Sequence, residues 1–169
     1  TAVGASALVL NTTASDNTAI GLLALGANTT GSKNVAIGAY ALDANTVGGQ
    51  CVAIGYAALG AHNRNDANSR AVAVGAYALD ANTTGSSNVA VGGLSLSGNT
   101  TGNSNVAIGV QALQDNLASS NTAVGRDAMK LTTTGTRNVA VGAFAMDANT
   151  TGGDNNAFGE NALGGNTTG

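Results

Sequence analysis

The chain has 169 residues, of which 43% are hydrophobic but only 3% aromatic and 9% charged, with 25 glycines, no proline and a net charge of −3. A core drawn from Ala, Val, Leu and Ile is thin and needs close packing of small side chains. The faintly acidic balance excludes the basic stripe of a nucleic-acid binder, since Lys33, Arg64, Arg70, Arg126, Lys130 and Arg137 are scattered, and no stretch approaches the roughly 18 apolar residues of a membrane span.

From the first residues onward one phrase recurs: a small polar residue, Val or Thr, Ala, an apolar residue and Gly. Its ten glycines are Gly4, Gly21, Gly38, Gly55, Gly75, Gly92, Gly109, Gly125, Gly142 and Gly159, spaced 17, 17, 17, 20, 17, 17, 16, 17 and 17 residues apart. A short period held from end to end predicts a stack of equivalent coils, not a globule around one centre. The full unit reads N-V-A-I-G-x-x-A-L-x-x-N-T-T-G-x-x, and residues 17–33 already show nearly all of it.

Within each unit two apolar pieces, such as Ala36-Ile37 before Gly38 and Ala41-Leu42 after it, are too short for helices and have the length of strands. A Gly and an Asn-Thr cluster in every turn disfavour helix further. We therefore expect an all-β parallel solenoid or β-roll of about ten 17-residue coils. Each coil would hold two strands, with a bend at the phrase glycine and a turn at N-T-T-G. Coils stacked at about 4.8 Å would make a rod of roughly 45–50 Å. Ala36, Ile37, Gly38, Ala41, Leu42 and Asn45 would each head a column of like residues running up that rod. Because strand neighbours point to opposite faces, apolar residues at both Ala36 and Ile37 imply a second buried surface. The same chain repeated about a symmetry axis supplies it most simply, and a homotrimer is the preferred arrangement. Residues 1–169 read as a single repetitive domain, a fragment of a longer fibrous chain, with an irregular coil over residues 60–71. Strand edges left open at the ends would also favour end-to-end association.

Candidate chemistry is sparse. Asp43, Asp80 and Asp147 share a register, but Gly60, Ser97, Gln114, Lys130 and Gly164 interrupt it, so a solvated edge is expected, not a cation ladder. Cys51 has no internal disulfide partner and reads as an inert replacement for the phrase-opening Asn. His62, the single histidine, reads as a loop residue beside a three-residue excess carrying Arg64, Asp66 and Arg70. Insertions in repeat proteins map to surface loops, so these four residues form the best candidate receptor contact, set against a merely tolerated bulge. Tyr40 and Tyr77 occupy the slot two after the glycine, where aromatic rings could stack on sugars or pack against neighbouring chains. Sequons at Asn11, Asn28, Asn82, Asn99, Asn149 and Asn166 coincide with turn and ladder chemistry, and their repetition in register favours the structural role. No catalytic carboxylate pair, metal set or cofactor motif emerges, and paired threonines make ice binding a minor alternative.

The phrases NVAIGAYAL (34–42), NVAVGGLSL (88–96) and NTTGSSNVAVG (82–92) resemble the head repeats of trimeric autotransporter adhesins. They are also similar to the repeats of phage tail fibres that precede endosialidase-type chaperone domains. The resemblance implies a left-handed β-roll in a trimeric, non-enzymatic fibre segment at a cell or virion surface. Its partners would be further copies of itself and a host receptor or glycan.

Overall fold

The structure is a computed structural model that describes residues 1–63 and 69–169. Its strands are β1 (Ala2–Val3), β2 (Thr18–Ile20), β3 (Val35–Ile37), β4 (Val52–Ile54), β5 (Val72–Val74), β6 (Val89–Val91), β7 (Val106–Ile108), β8 (Thr122–Val124), β9 (Val139–Val141) and β10 (Asn156–Phe158). They form one parallel ten-stranded sheet in strict chain order, with no helix among the described residues. Nine full turns of the coil separate β1 from β10, and the fold is a β-solenoid.

Register follows the repeat: Ala36 pairs with Ala19 below and Ala53 above, and Ile37 with Ile20 and Ile54. Even the irregular fourth coil returns in phase, with Val52, Ala53 and Ile54 opposite Val72, Ala73 and Val74. Columns of identical residues are thus the direct result of a constant period.

One expectation is corrected. The second apolar piece is not a strand. After the bend at the phrase glycine, which takes φ between 119° and 141°, the residues two and four further on are left-handed in every coil, as at Tyr40 (φ 61°) and Leu42 (φ 51°). A left-handed non-glycine residue costs on the order of 1 kcal/mol. Two compensations hold it here. The curl turns both Ala41 and Leu42 inward, where neither is exposed, something an extended strand cannot do with neighbours. It also keeps the backbone paired: Tyr40 N–H donates to Leu22 of the coil below at 2.9 Å, and Leu42 N–H to Ala58 of the coil above at 3.1 Å.

The core is correspondingly narrow. Columns headed by Ala36, Ala41 and Leu42 fill it, and Met129 and Met146 replace Leu toward the C-terminal end. Cys51 and Ala71 join it at positions where most other coils place Asn. Backbone approach at the bend leaves no room for a side chain: a Cβ on Gly55 would lie 2.5 Å from the carbonyl oxygen of Gly75.

Candidate interaction surface

On β2 to β10 the central Ala is buried and the residues flanking it look outward. Val35, Val52, Val72, Val89, Val106 and Val139 form one half-buried column. The second, beginning at Val3 and ending at Phe158, is more open, with Ile20 39%, Ile54 36%, Val91 36% and Ile108 41% exposed. Just past the bend the apolar character continues through Leu22 (43%), Tyr56 (48%), Tyr77 (42%), Leu94 (36%) and Val110 (50%). Among the described residues, charged side chains reach that ridge only at its C-terminal end, at Arg126, Asp127 and Glu160. A monomeric soluble protein rarely leaves so long an apolar face uncovered.

Tyr40 and Tyr77, singled out by register, are joined by a ring the register missed. Tyr56 follows its glycine by one residue instead of two, yet it fills the gap between them. The Tyr40–Tyr56 and Tyr56–Tyr77 centroids are 5.7 and 5.3 Å apart, with ring planes at 74° and 68°, both edge-to-face. That geometry satisfies the ring quadrupoles. Three coils from the C-terminus, the Arg126 guanidinium lies 4.6 Å above the Phe144 ring, a cation–π contact in the same ridge.

Of the four residues of the candidate receptor contact, His62 and Arg70 are among the described residues. His62 lies outside the strands, as expected of a loop residue, but is fully buried, in the column of N-T-T asparagines. Arg70 is exposed and its Nε donates to Gln50 Oε1 at 3.4 Å. Arg64 and Asp66 lie outside the described residues. A shallow depression lined by Thr30, Ser32, Lys33 and Gln50 sits on this side of the rod. Among the described residues its lining carries one cation and no carboxylate.

The sequon asparagines are interior groups. Asn28, Asn82, Asn99 and Asn149 are wholly buried. Asn28 Nδ2 donates to Asn11 Oδ1 at 3.1 Å and to the Gly31 carbonyl at 2.9 Å, and Asn45 Nδ2 repeats this with Asn28 Oδ1 and Gly48, both at 3.0 Å. A second ladder starts at the phrase-opening asparagines, where the Oδ1 of Asn17 accepts the backbone N–H of Asn34 at 2.9 Å. The paired threonines are partly used as well, since Thr29 Oγ1 donates to the Thr46 carbonyl at 3.1 Å.

The shared-register aspartates depart from the expected solvated edge. Asp43, Asp80 and Asp147 are half-buried, and burial raises the carboxyls of Asp43 and Asp80 above the usual range against two backbone N–H groups that favour the anion. No group of three or more metal-ligating side chains occurs among the described residues. No helix there is long and apolar enough to cross a membrane. Compared with protein-family models, curated proteins and solved structures, the chain matches none.

Proposed function

We propose that the chain is a structural segment of an extracellular fibre of adhesin or tail-fibre type, a stiff non-enzymatic shaft in which three copies pack together. The observation that carries this reading is the outward strand face, where one apolar column runs from Val3 to Phe158 with Ile20, Ile54, Val91 and Ile108 each more than a third exposed, beside a second, mostly Val column that Thr18, Thr122 and Asn156 interrupt. A rod roughly 45 Å long with an apolar strip about 15 Å wide offers on the order of 700 Å² per copy, near the approximately 800 Å² per partner of a stable interface. Continuous backbone ladders on both sides of every internal coil supply stiffness and resistance to proteases.

Native mass measurement with cross-linking at low concentration tests the assembly. A trimer that Ile108→Asp converts into folded monomers is expected. A wild-type chain that stays monomeric at micromolar concentration overturns the reading.

A second reading, a carbohydrate-binding surface, is favoured by the exposed Tyr56 and Tyr77 rings. Glycan arrays comparing the wild type with the double variant Tyr56→Ala, Tyr77→Ala address it. Glycan binding lost in that variant supports it, and absence of any glycan signal removes it.

A further inference from the structure

All three tyrosines of the chain stand in one cluster. Tyr56 lies between Tyr40 of the coil below and Tyr77 of the coil above, and its nearer contact is with Tyr77, at 5.3 Å between centroids and 68° between planes. That separation falls toward the short end of the roughly 4.5–7 Å over which aromatic pairs occur. Tyr56 and Tyr77 are also the more open rings, 48% and 42% exposed, whereas Tyr40 is half-buried.

The rest of the chain offers an oxidant little else. It has no tryptophan, one cysteine and two methionines. Cys51, Met129 and Met146 are wholly buried, and burial also raises the Cys51 pKa, which holds the thiol in its less reactive neutral form. Side-chain oxidation follows access, so the exposed phenols of Tyr56 and Tyr77 meet an oxidant first.

Their geometry suits coupling. A bond between two phenol rings joins the carbons next to each oxygen, and crowding of the two oxygens twists the joined rings well out of one plane. Rings already set at 68°, with an edge of one turned toward the other, need a short approach and little rotation. Stacking holds them so, since the Tyr77 N–H donates to the Tyr56 carbonyl at 2.9 Å and the two side chains leave neighbouring rungs of one backbone ladder. Two groups held side by side react at an effective concentration far above that reached between free chains.

We propose that Tyr56 and Tyr77 form an oxidative cross-linking site, where an oxidant of the peroxide class, worked by a haem peroxidase, joins the two rings as dityrosine. Each phenol gives up one electron and its hydroxyl proton. The two phenoxyl radicals pair to form one C–C bond between ortho carbons, and the hydrogen on each of those carbons passes as a proton to the oxygen beside it, which restores both phenols. Two ring C–H bonds are exchanged for one C–C bond, and one hydrogen peroxide takes up the two electrons and two protons and leaves as two waters.

The bond falls where the rod lacks another tie. It closes a loop around the one interval of 20 residues between phrase glycines. It also joins the two coils that open with Cys51 and Ala71: Asn34 Oδ1 accepts the Cys51 N–H at 2.9 Å, but neither Cys51 nor Ala71 carries an amide to pass that ladder on. The ring contact lies within one chain, so the reaction calls for no second copy and stands apart from the trimer and glycan readings.

Treatment of the full chain at micromolar concentration with a haem peroxidase and hydrogen peroxide tests this. The expected product has the mass of one chain less two hydrogens, shows dityrosine fluorescence and yields, after denaturation and proteolysis, joined peptides containing Tyr56 and Tyr77. Tyr56→Phe keeps the ring but removes the phenol, and the intrachain product should fall by more than about tenfold, because Tyr40 and Tyr77 stand two coils apart. Tyr40→Phe should leave the yield unchanged. Intrachain coupling that survives in Tyr56→Phe, that is lost in Tyr40→Phe, or that is replaced by bonds between different copies overturns the proposal. A treated chain with three intact tyrosines, whether or not Cys51, Met129 or Met146 is oxidised, does the same.

Discussion

The carbonyl oxygen of Gly75 stands 2.5 Å from the point where a Cβ on Gly55 would sit, and Gly55 itself is at φ 136°. Both the approach and the dihedral forbid any other residue. Gly55→Ala should lower stability by more than about 3 kcal/mol, through strain added to a displaced backbone ladder. Thermal unfolding followed by circular dichroism measures it, and a loss below about 1 kcal/mol would contradict the close stacking of the bends.

The asparagine ladder should be as costly to break as a hydrophobic contact. Asn99→Ala strips two donated bonds, to Asn82 Oδ1 at 3.2 Å and to the Gly102 carbonyl at 3.1 Å, and leaves both acceptors buried. A loss of about 2–4 kcal/mol is expected in denaturant titration. Asn99→Asp should do worse, since a carboxylate can donate to neither.

Leu96 lies fully buried in the Leu/Met column. Leu96→Ala should cost about 2–5 kcal/mol, toward the upper end because the backbone on either side is tied to adjacent coils and cannot collapse into the void. Equilibrium unfolding of the variant gives the value directly.

Two sets of carboxylates should give pH effects of opposite sign. Asp43 and Asp80 have raised pKa values from burial, so the folded chain holds their protons more tightly than the unfolded one and stability rises as pH falls through the folded values. Asp43→Asn and Asp80→Asn should be neutral or stabilising at pH 7 and should flatten that rise. Asp154 is shifted down by its hydrogen bonds with Arg137, at 2.6 and 2.7 Å, and by the charge beside it. Its contribution is present above the ordinary carboxylate value and is lost as pH falls through the lowered one. The pair is fully exposed, so Arg137→Ala should reduce only a small, salt-sensitive increment. Melting curves between pH 3 and 7 at two salt concentrations separate the sets.

Glycan attachment and folding should exclude each other at four sequons. Asn28, Asn82, Asn99 and Asn149 have no exposed surface. After expression in a eukaryotic secretory host, the protease-resistant fraction should carry unmodified asparagine at all four, as read by peptide mass spectrometry. A glycan on any of them in that fraction would refute the interior ladder.

Period and register were readable from the residues because a solenoid writes its pitch into the sequence. Away from the terminal coils, the invariant Ala of each phrase, the Leu three residues beyond Tyr56 and the Asn of each N-T-T landed in interior columns. What was hidden was conformation that residue type does not announce. Leu42 and Tyr40 are poor candidates for left-handed geometry, and nothing local marks them. Stacking holds them there, with burial of Leu42 offsetting the strain. His62 did not look buried, because polarity and an adjacent insertion both suggest solvent. Its position in the asparagine register was the signal that it replaces an amide. Tyr56 was missed for the converse reason: its one-residue displacement removed it from the column, and only ring size brought it back into contact with Tyr40 and Tyr77.

The strict succession of strands from β1 to β10 carries a kinetic consequence. Each coil meets partners only about one repeat away along the chain, as when Ala36 pairs with Ala19 and Ala53. Average loop closure therefore stays constant however many coils are added, and relative contact order falls as the rod lengthens. Assembly can begin at any well-formed pair of rungs and spread in both directions, so length is gained without a slower search.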